Sequence, residues 1–185
     1  MDPTTAAGSP PNHMTEPPSK HSSGQQNMDE QIECASPPCY AGDFADPPLP
    51  QQELIDLLNE LATGERAGAQ GLIEMAKNAE SEESRMLLRE IAADEARYCA
   101  MLSHHVERLG GTPDRTVGVF ADKLARRESL PDKLTLLDKG QSVVVRMLEE
   151  TLPRITDDKL KEDLIEMRDT HVVNIERCRE FSLQI

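Results

Sequence analysis

The sequence predicts an all-α protein: an antiparallel four-helix bundle made of two helical hairpins joined by a crossover, preceded by a disordered N-terminal tail. Three observations carry that expectation. From Gln51 onward apolar residues recur with a 3.6-residue period, and the alternating β-branched and aromatic runs that mark strands are missing. Gly64-Glu65, Leu72, Leu88 and Ile91 reappear as Gly140-Gln141, Leu148, Leu164 and Met167, each pair separated by 76 residues, as two related hairpins would be. Ten of the 13 prolines fall in residues 1–50, together with seven acids and a single base, Lys20. Such a stretch has too little apolar surface to offset its ordering entropy.

Residues 1–50 are therefore read as a proline-rich acidic tail and residues 51–185 as one bundle domain, long enough to bury a real core. The first helix is expected from about Gln52 to Asn78, with Leu54, Leu58, Leu61, Gly68 and Leu72 on one stripe. Ser81 is a natural cap for the second, which carries Leu87, Leu88, Ile91, Leu102 and His105 before Gly110-Gly111-Thr-Pro113 stops it. A connection from Asp114 to Leu130 includes a short helix around Phe120 to Arg127. Leu130-Pro131-Asp132 opens the third long helix, with Leu134, Leu137, Val144, Val145, Leu148 and Leu152 inward, and Pro153 ends it. Asp157 or Asp158 starts the fourth, with Leu160, Leu164, Met167, Ile175 and Cys178 facing the core.

Charge narrows the function classes. The formal net charge of −14 is spread over tail and domain, which argues against a nucleic-acid partner. No apolar run approaches the roughly 20 residues that span a bilayer, and Met1 to Ser9 lacks the basic and apolar regions of a signal peptide. The expectation is a cytoplasmic protein without a membrane or nucleic-acid partner. A homodimer formed through outer helix faces is expected, and the tail is of a composition that suits recruitment of a protein partner. Cys34 and Cys39 supply only two ligands, where structural zinc takes four, and without a secretory signal a disulfide is not expected. They read as free thiols in a linker, or as part of a tail that folds back with Tyr40 and Phe44 on the domain. Cys99 and Cys178, on helices expected to pack together, read as buried apolar filler.

The informative residues break the apolar pattern. Glu65 lies four residues after Leu61 and seven before Leu72; Glu95 lies four after Ile91 and seven before Leu102. Gln141 lies four after Leu137 and seven before Leu148, and His171 lies seven from both Leu164 and Cys178. Thirty residues separate Glu65 from Glu95, and thirty separate Gln141 from His171, so all four are expected at one level of the core. Two buried carboxylates without partners would cost several kcal/mol. Two arrangements would neutralise them. One iron, manganese or zinc ion could be held by Glu65, Glu95 and His171, with Gln141 as a fourth donor and Tyr98 behind it. Alternatively the acids share protons or hydrogen-bond to His171, Gln141 and Tyr98, which follows Glu95 by three. His105 is too far along its helix for this site and reads as a capping or surface residue. No phosphate loop, nucleophilic triad or HExxH pair is present, so no catalytic residue is assigned.

These polar positions resemble the ferritin-like superfamily, whose dinuclear iron or manganese members place a Glu on each of two helices and a Glu-x-x-His pair on each of the other two. The resemblance covers roughly residues 51–182. It implies the bundle, and for the metal centre it is partial: Glu65 is kept, Glu95-Ala-Arg-Tyr98 has tyrosine in place of histidine, and Gln141 replaces a glutamate. The fourth helix offers His171-Val-Val-Asn174 or, one turn earlier, Arg168-Asp-Thr-His171. Ser36-Pro-Pro-Cys39-Tyr40, Leu57-Leu58-Asn59-Glu60-Leu61, Gly64-Glu65-Arg66-Ala67-Gly68-Ala69, Asp94-Glu95-Ala96-Arg97, Cys99-Ala100-Met101-Leu102 and Gly140-Gln141 are similar to a group of uncharacterised bacterial ferritin-like proteins. That group implies a fold and no established activity. The expectation is thus a structural, adapter or regulatory bundle with a degenerate dinuclear centre, or else a metal-binding protein or metal-dependent oxidoreductase with a reduced Glu/Glu/His site.

Overall fold

The structure, a computed structural model, describes residues 46–184. Cys34, Cys39, Tyr40 and Phe44, and the expected tail as far as residue 45, lie outside the described residues. Four long helices and one short one are found among those described: α1 (Gln51–Lys77), α2 (Glu82–Arg108), α3 (Phe120–Ala125), α4 (Leu130–Thr151) and α5 (Asp158–Ser182). A 3-10 turn, Leu152–Arg154, ends α4. The helix ends follow local chemistry. Ser81 accepts from the Ser84 amide at 3.1 Å, and Asp157 accepts from the Leu160 amide at 2.8 Å. Ser129 caps α4 through the Asp132 amide, with Pro131 in the first turn. At the end of α2, Gly110 takes φ 79° while the amides of Gly110 and Gly111 bond Glu107 and Val106. That is the paired closure a left-handed glycine permits.

α1 with α2 and α4 with α5 form the two hairpins, and the connection between them is strapped along α1. Asn59 donates to the Thr112 carbonyl at 3.2 Å and accepts from the Asp114 amide at 2.8 Å. Arg66 donates to the Thr116 carbonyl at 2.7 Å. Leu124 of α3 is buried against Gly71, where an added Cβ would lie 2.7 Å from its Cδ1. Ahead of α1, the Leu49 amide donates to the Arg154 carbonyl at 3.1 Å and Arg154 Nε donates to the Pro47 carbonyl at 2.9 Å.

The core is divided. One apolar cluster holds Leu58, Leu102, Leu148 and Leu164; the other holds Leu72, Ile91, Leu137 and Cys178. On each long helix the residues of one cluster end before those of the other begin. The gaps are occupied by Glu65 on α1, Glu95 on α2, Gln141 on α4 and His171 on α5, all buried. No helix among the described residues is long and apolar enough to cross a membrane.

Candidate functional site

The polar layer is made of two hydrogen-bonded pairs. His171 Nε2 lies 3.2 Å from Glu65 Oε1, and Gln141 Nε2 donates to Glu95 Oε1 at 3.1 Å. His171 Nδ1 lies 2.9 Å from the Met167 carbonyl, one turn back on α5. A ring with a carbonyl on one nitrogen and a carboxylate on the other is satisfied when both nitrogens carry protons, that is, as imidazolium. Burial pulls the His171 pKa down, but the facing Glu65 carboxylate, with Glu95 beyond it, holds it up at about 9. Glu95 moves the opposite way. Burial, then the nearby Glu65 carboxylate, raises it to about 8 against the opposing pull of His171 and Gln141. Both shifts favour a proton, on His171 and on Glu95, and so act toward balancing the charge of the layer.

Among the described residues two buried side-chain oxygens are left without a partner, Glu65 Oε2 and Gln141 Oε1. Gly68, one turn after Glu65, admits the Glu95 carboxylate: a Cβ at that position would sit 2.6 Å from Glu95 Cδ and closer still to its Oε2. A Gly68→Ala variant is expected to lose about 1–3 kcal/mol by overpacking, read from urea unfolding. An unchanged midpoint would show that Glu95 has room to move.

Tyr98 is buried beside the layer but does not serve the acids. Its ring centroid lies 5.9 Å from that of His171, while its hydroxyl bonds Thr170 Oγ1 at 2.6 Å, with Arg97 stacked over the ring. The hydrogen bond from Tyr98 to the carboxylates, expected as one way of satisfying them, is not made, because α5 presents a nearer hydroxyl and the Glu166 carbonyl. Asn174, the other candidate on the fourth helix, donates to Asp94 at 3.1 Å and leaves the layer alone.

His105 is a second departure from expectation. It is buried rather than capping or exposed, with Nε2 2.8 Å from Asp163 Oδ2 on α5 and Arg108 Nε donating to its Nδ1 at 3.3 Å. A partner on another helix is invisible to spacing along its own. Cys99 is half-buried and Cys178 buried; burial pushes the Cys178 thiol up to about 12, which makes it a poor nucleophile.

Residues 52–180 match the model of a family described as a domain of unknown function, DUF6306. The chain belongs to the DUF6306 family. Among solved structures it is similar to a protein from Bacillus anthracis str. Ames described as ferritin-like and diiron-carboxylate. The TM-score is 0.55 at 19% identity, over 70% of this chain and 93% of that chain. Identity that low speaks for the fold: the DUF6306 domain is a ferritin-like bundle. No curated protein matches the chain.

The donors of this DUF6306 chain differ from those of a dinuclear centre. Such a centre draws on four carboxylates and two histidines. Here Tyr98 turns its hydroxyl to α5, Gln141 is a neutral amide, and Asn174 is engaged by Asp94. Among the described residues no three histidine, cysteine or carboxylate side chains converge as a ready cage for an ion.

Proposed function

We propose that this DUF6306 chain is a ferritin-like bundle with a degenerate dinuclear centre, acting as a structural, adapter or regulatory protein rather than as an oxygen-activating catalyst. The observation that carries this reading is the pairing of His171 Nε2 with Glu65 Oε1 at 3.2 Å, which turns two ligand types toward each other. With Glu95 protonated and held by Gln141, the layer needs no added charge, and it sets the register of all four long helices.

The test is elemental analysis of protein purified without chelator, followed by melting with added iron(II), manganese(II) or zinc. Substoichiometric metal and an unchanged melting temperature are expected, since a ligand bound only by the folded state would raise it. Stoichiometric metal that disappears from a Glu65→Ala/Glu95→Ala variant would overturn the reading.

A second reading has its own supporting observation. His171 Nδ1 donates to the Met167 carbonyl, the arrangement that orients a histidine for ligation through Nε2, and two oxygens nearby are unpartnered. In that reading Glu65, Glu95 and His171, with Gln141, hold one iron, manganese or zinc ion that supplies charge neutralisation, and the same experiment gives the opposite result.

A further inference from the structure

The chain just ahead of α1 carries three prolines, Pro47, Pro48 and Pro50, and is not helical. Each proline ring fixes φ at about −65°. Asp46, Pro47 and Leu49 each precede a proline, which biases them to the extended region. Pro50 takes φ −56° and ψ 144°, the values of a polyproline II helix. Backbone bonds hold the segment to the domain at successive points. Arg154 Nε donates to the Pro47 carbonyl at 2.9 Å, and the Leu49 amide donates to the Arg154 carbonyl at 3.1 Å. The Pro50 carbonyl then accepts from the Leu54 amide at 3.0 Å, in the first turn of α1.

Polyproline II has about three residues per turn, so such a segment presents three edges. Leu49 stands on one of them and packs against the apolar cluster of Leu58, Leu102 and Leu148. Pro47 and Pro50, three apart, share the second, and Pro48 stands on the third. All three prolines are exposed. A helix start accounts for one proline at its first turn, but not for two more ahead of it in solvent. Pro47-Pro48-Leu49-Pro50 is also the one Pro-x-x-Pro in the sequence.

We propose that Pro47–Pro50 is a docking element for a partner protein bearing an aromatic-lined proline groove, of the kind carried by WW and SH3 domains. Such grooves take Pro-x-x-Pro segments in the polyproline II form. Here the free chain is already held in that form. Leu49 anchors it to the core, Arg154 straps its first carbonyl, and the two edges left open are made of proline alone. Little conformational freedom then remains to be lost on docking, which favours a complex of small area. The inference goes beyond the reading of the polar layer, and metal content does not bear on it.

The chain has no tryptophan, so the emission of a groove tryptophan on a WW or SH3 domain reports docking directly. Titration of a panel of such domains with the full chain is expected to give at least one saturable complex, with a Kd below about 1 mM. A Pro47→Ala/Pro50→Ala variant is expected to weaken that complex at least about tenfold, with the helical circular dichroism unchanged. Arg154→Ala keeps every proline and releases the strap. It is expected to weaken docking on the order of threefold, through the freedom the segment regains. Failure of every domain to bind, or binding undiminished in either variant, would overturn the proposal. Elemental analysis of the same protein keeps the two readings apart. Stoichiometric metal in a chain that docks would sink the metal-free layer alone, whereas metal-free protein that docks to no domain would sink the docking element alone.

Discussion

A His171→Leu variant is expected to lose about 3–5 kcal/mol of unfolding free energy, the cost of leaving one member of a buried ion pair without the other. Both side chains are about 2% exposed, so water cannot replace the lost partner. Against a typical domain stability of about 5–15 kcal/mol, that loss is large, and it should lower the melting temperature by roughly 10 °C. The diagnostic comparison is the double variant Glu65→Leu/His171→Leu. Removing both charges also removes the unpaired carboxylate, and replacing a buried pair with apolar side chains is often neutral or stabilising. Most of the lost stability should return, giving a favourable coupling energy between the two positions. A single variant as stable as the parent in urea would show that Glu65 finds another partner and that the pair does not hold the layer.

The second large effect is on pH dependence. Glu95 binds its proton more tightly in the folded chain, at about 8 against 4.5, and so does His171, at about 9 against 6.5. For both, the folded state holds more protons than the unfolded state between the two values, so stability falls as pH rises through those windows. The groups around Glu95 are Glu65 and Asp94, which raise its pKa, and His171 and Gln141, which lower it. Melting temperature should thus be highest near pH 5 and decline toward pH 9. A Glu95→Gln variant keeps the size of the protonated acid and cannot ionise. At pH 8 it should exceed the parent by at least about 2 kcal/mol, while at pH 5 the two should be alike. A parent whose stability is flat from pH 5 to pH 8, or a variant weaker at both values, would contradict protonation of Glu95 and favour a ligand role for it. On the acid side Asp157 works in the usual direction: Arg108 and the Leu160 amide hold it down at about 2, so its contribution fades as pH falls below 3.8.

Much of this was legible along the chain. The 3.6-residue period, the caps Ser81 and Asp157 and the first-turn Pro131 placed the helices, because all depend on residues within one or two turns, whereas the Ser129 cap was not read from the sequence. The repeat identified Glu65, Glu95, Gln141 and His171 as a single level, and the structure gathers all four there. Gly64 and Gly140 stand in corresponding places of the repeat, but spacing says nothing of whether the room beside a glycine is filled, as at Gly140, or empty, as at Gly64. The part played by Gly68 in admitting Glu95 depends on another helix and left no trace in its own surroundings.

Local periodicity, turn residues and the internal repeat were enough to determine a ferritin-like bundle and the four polar residues that interrupt its core, since each of these is written within a helix. Pairing was decided only in three dimensions. Glu65 faces His171, Glu95 faces Gln141, Tyr98 reaches Thr170 and His105 reaches Asp163 because neighbouring helices settle at particular rotations and separations. Those rotations come from packing of the whole core, and with them come the burial and the charged neighbours that raise the pKa values of His171 and Glu95.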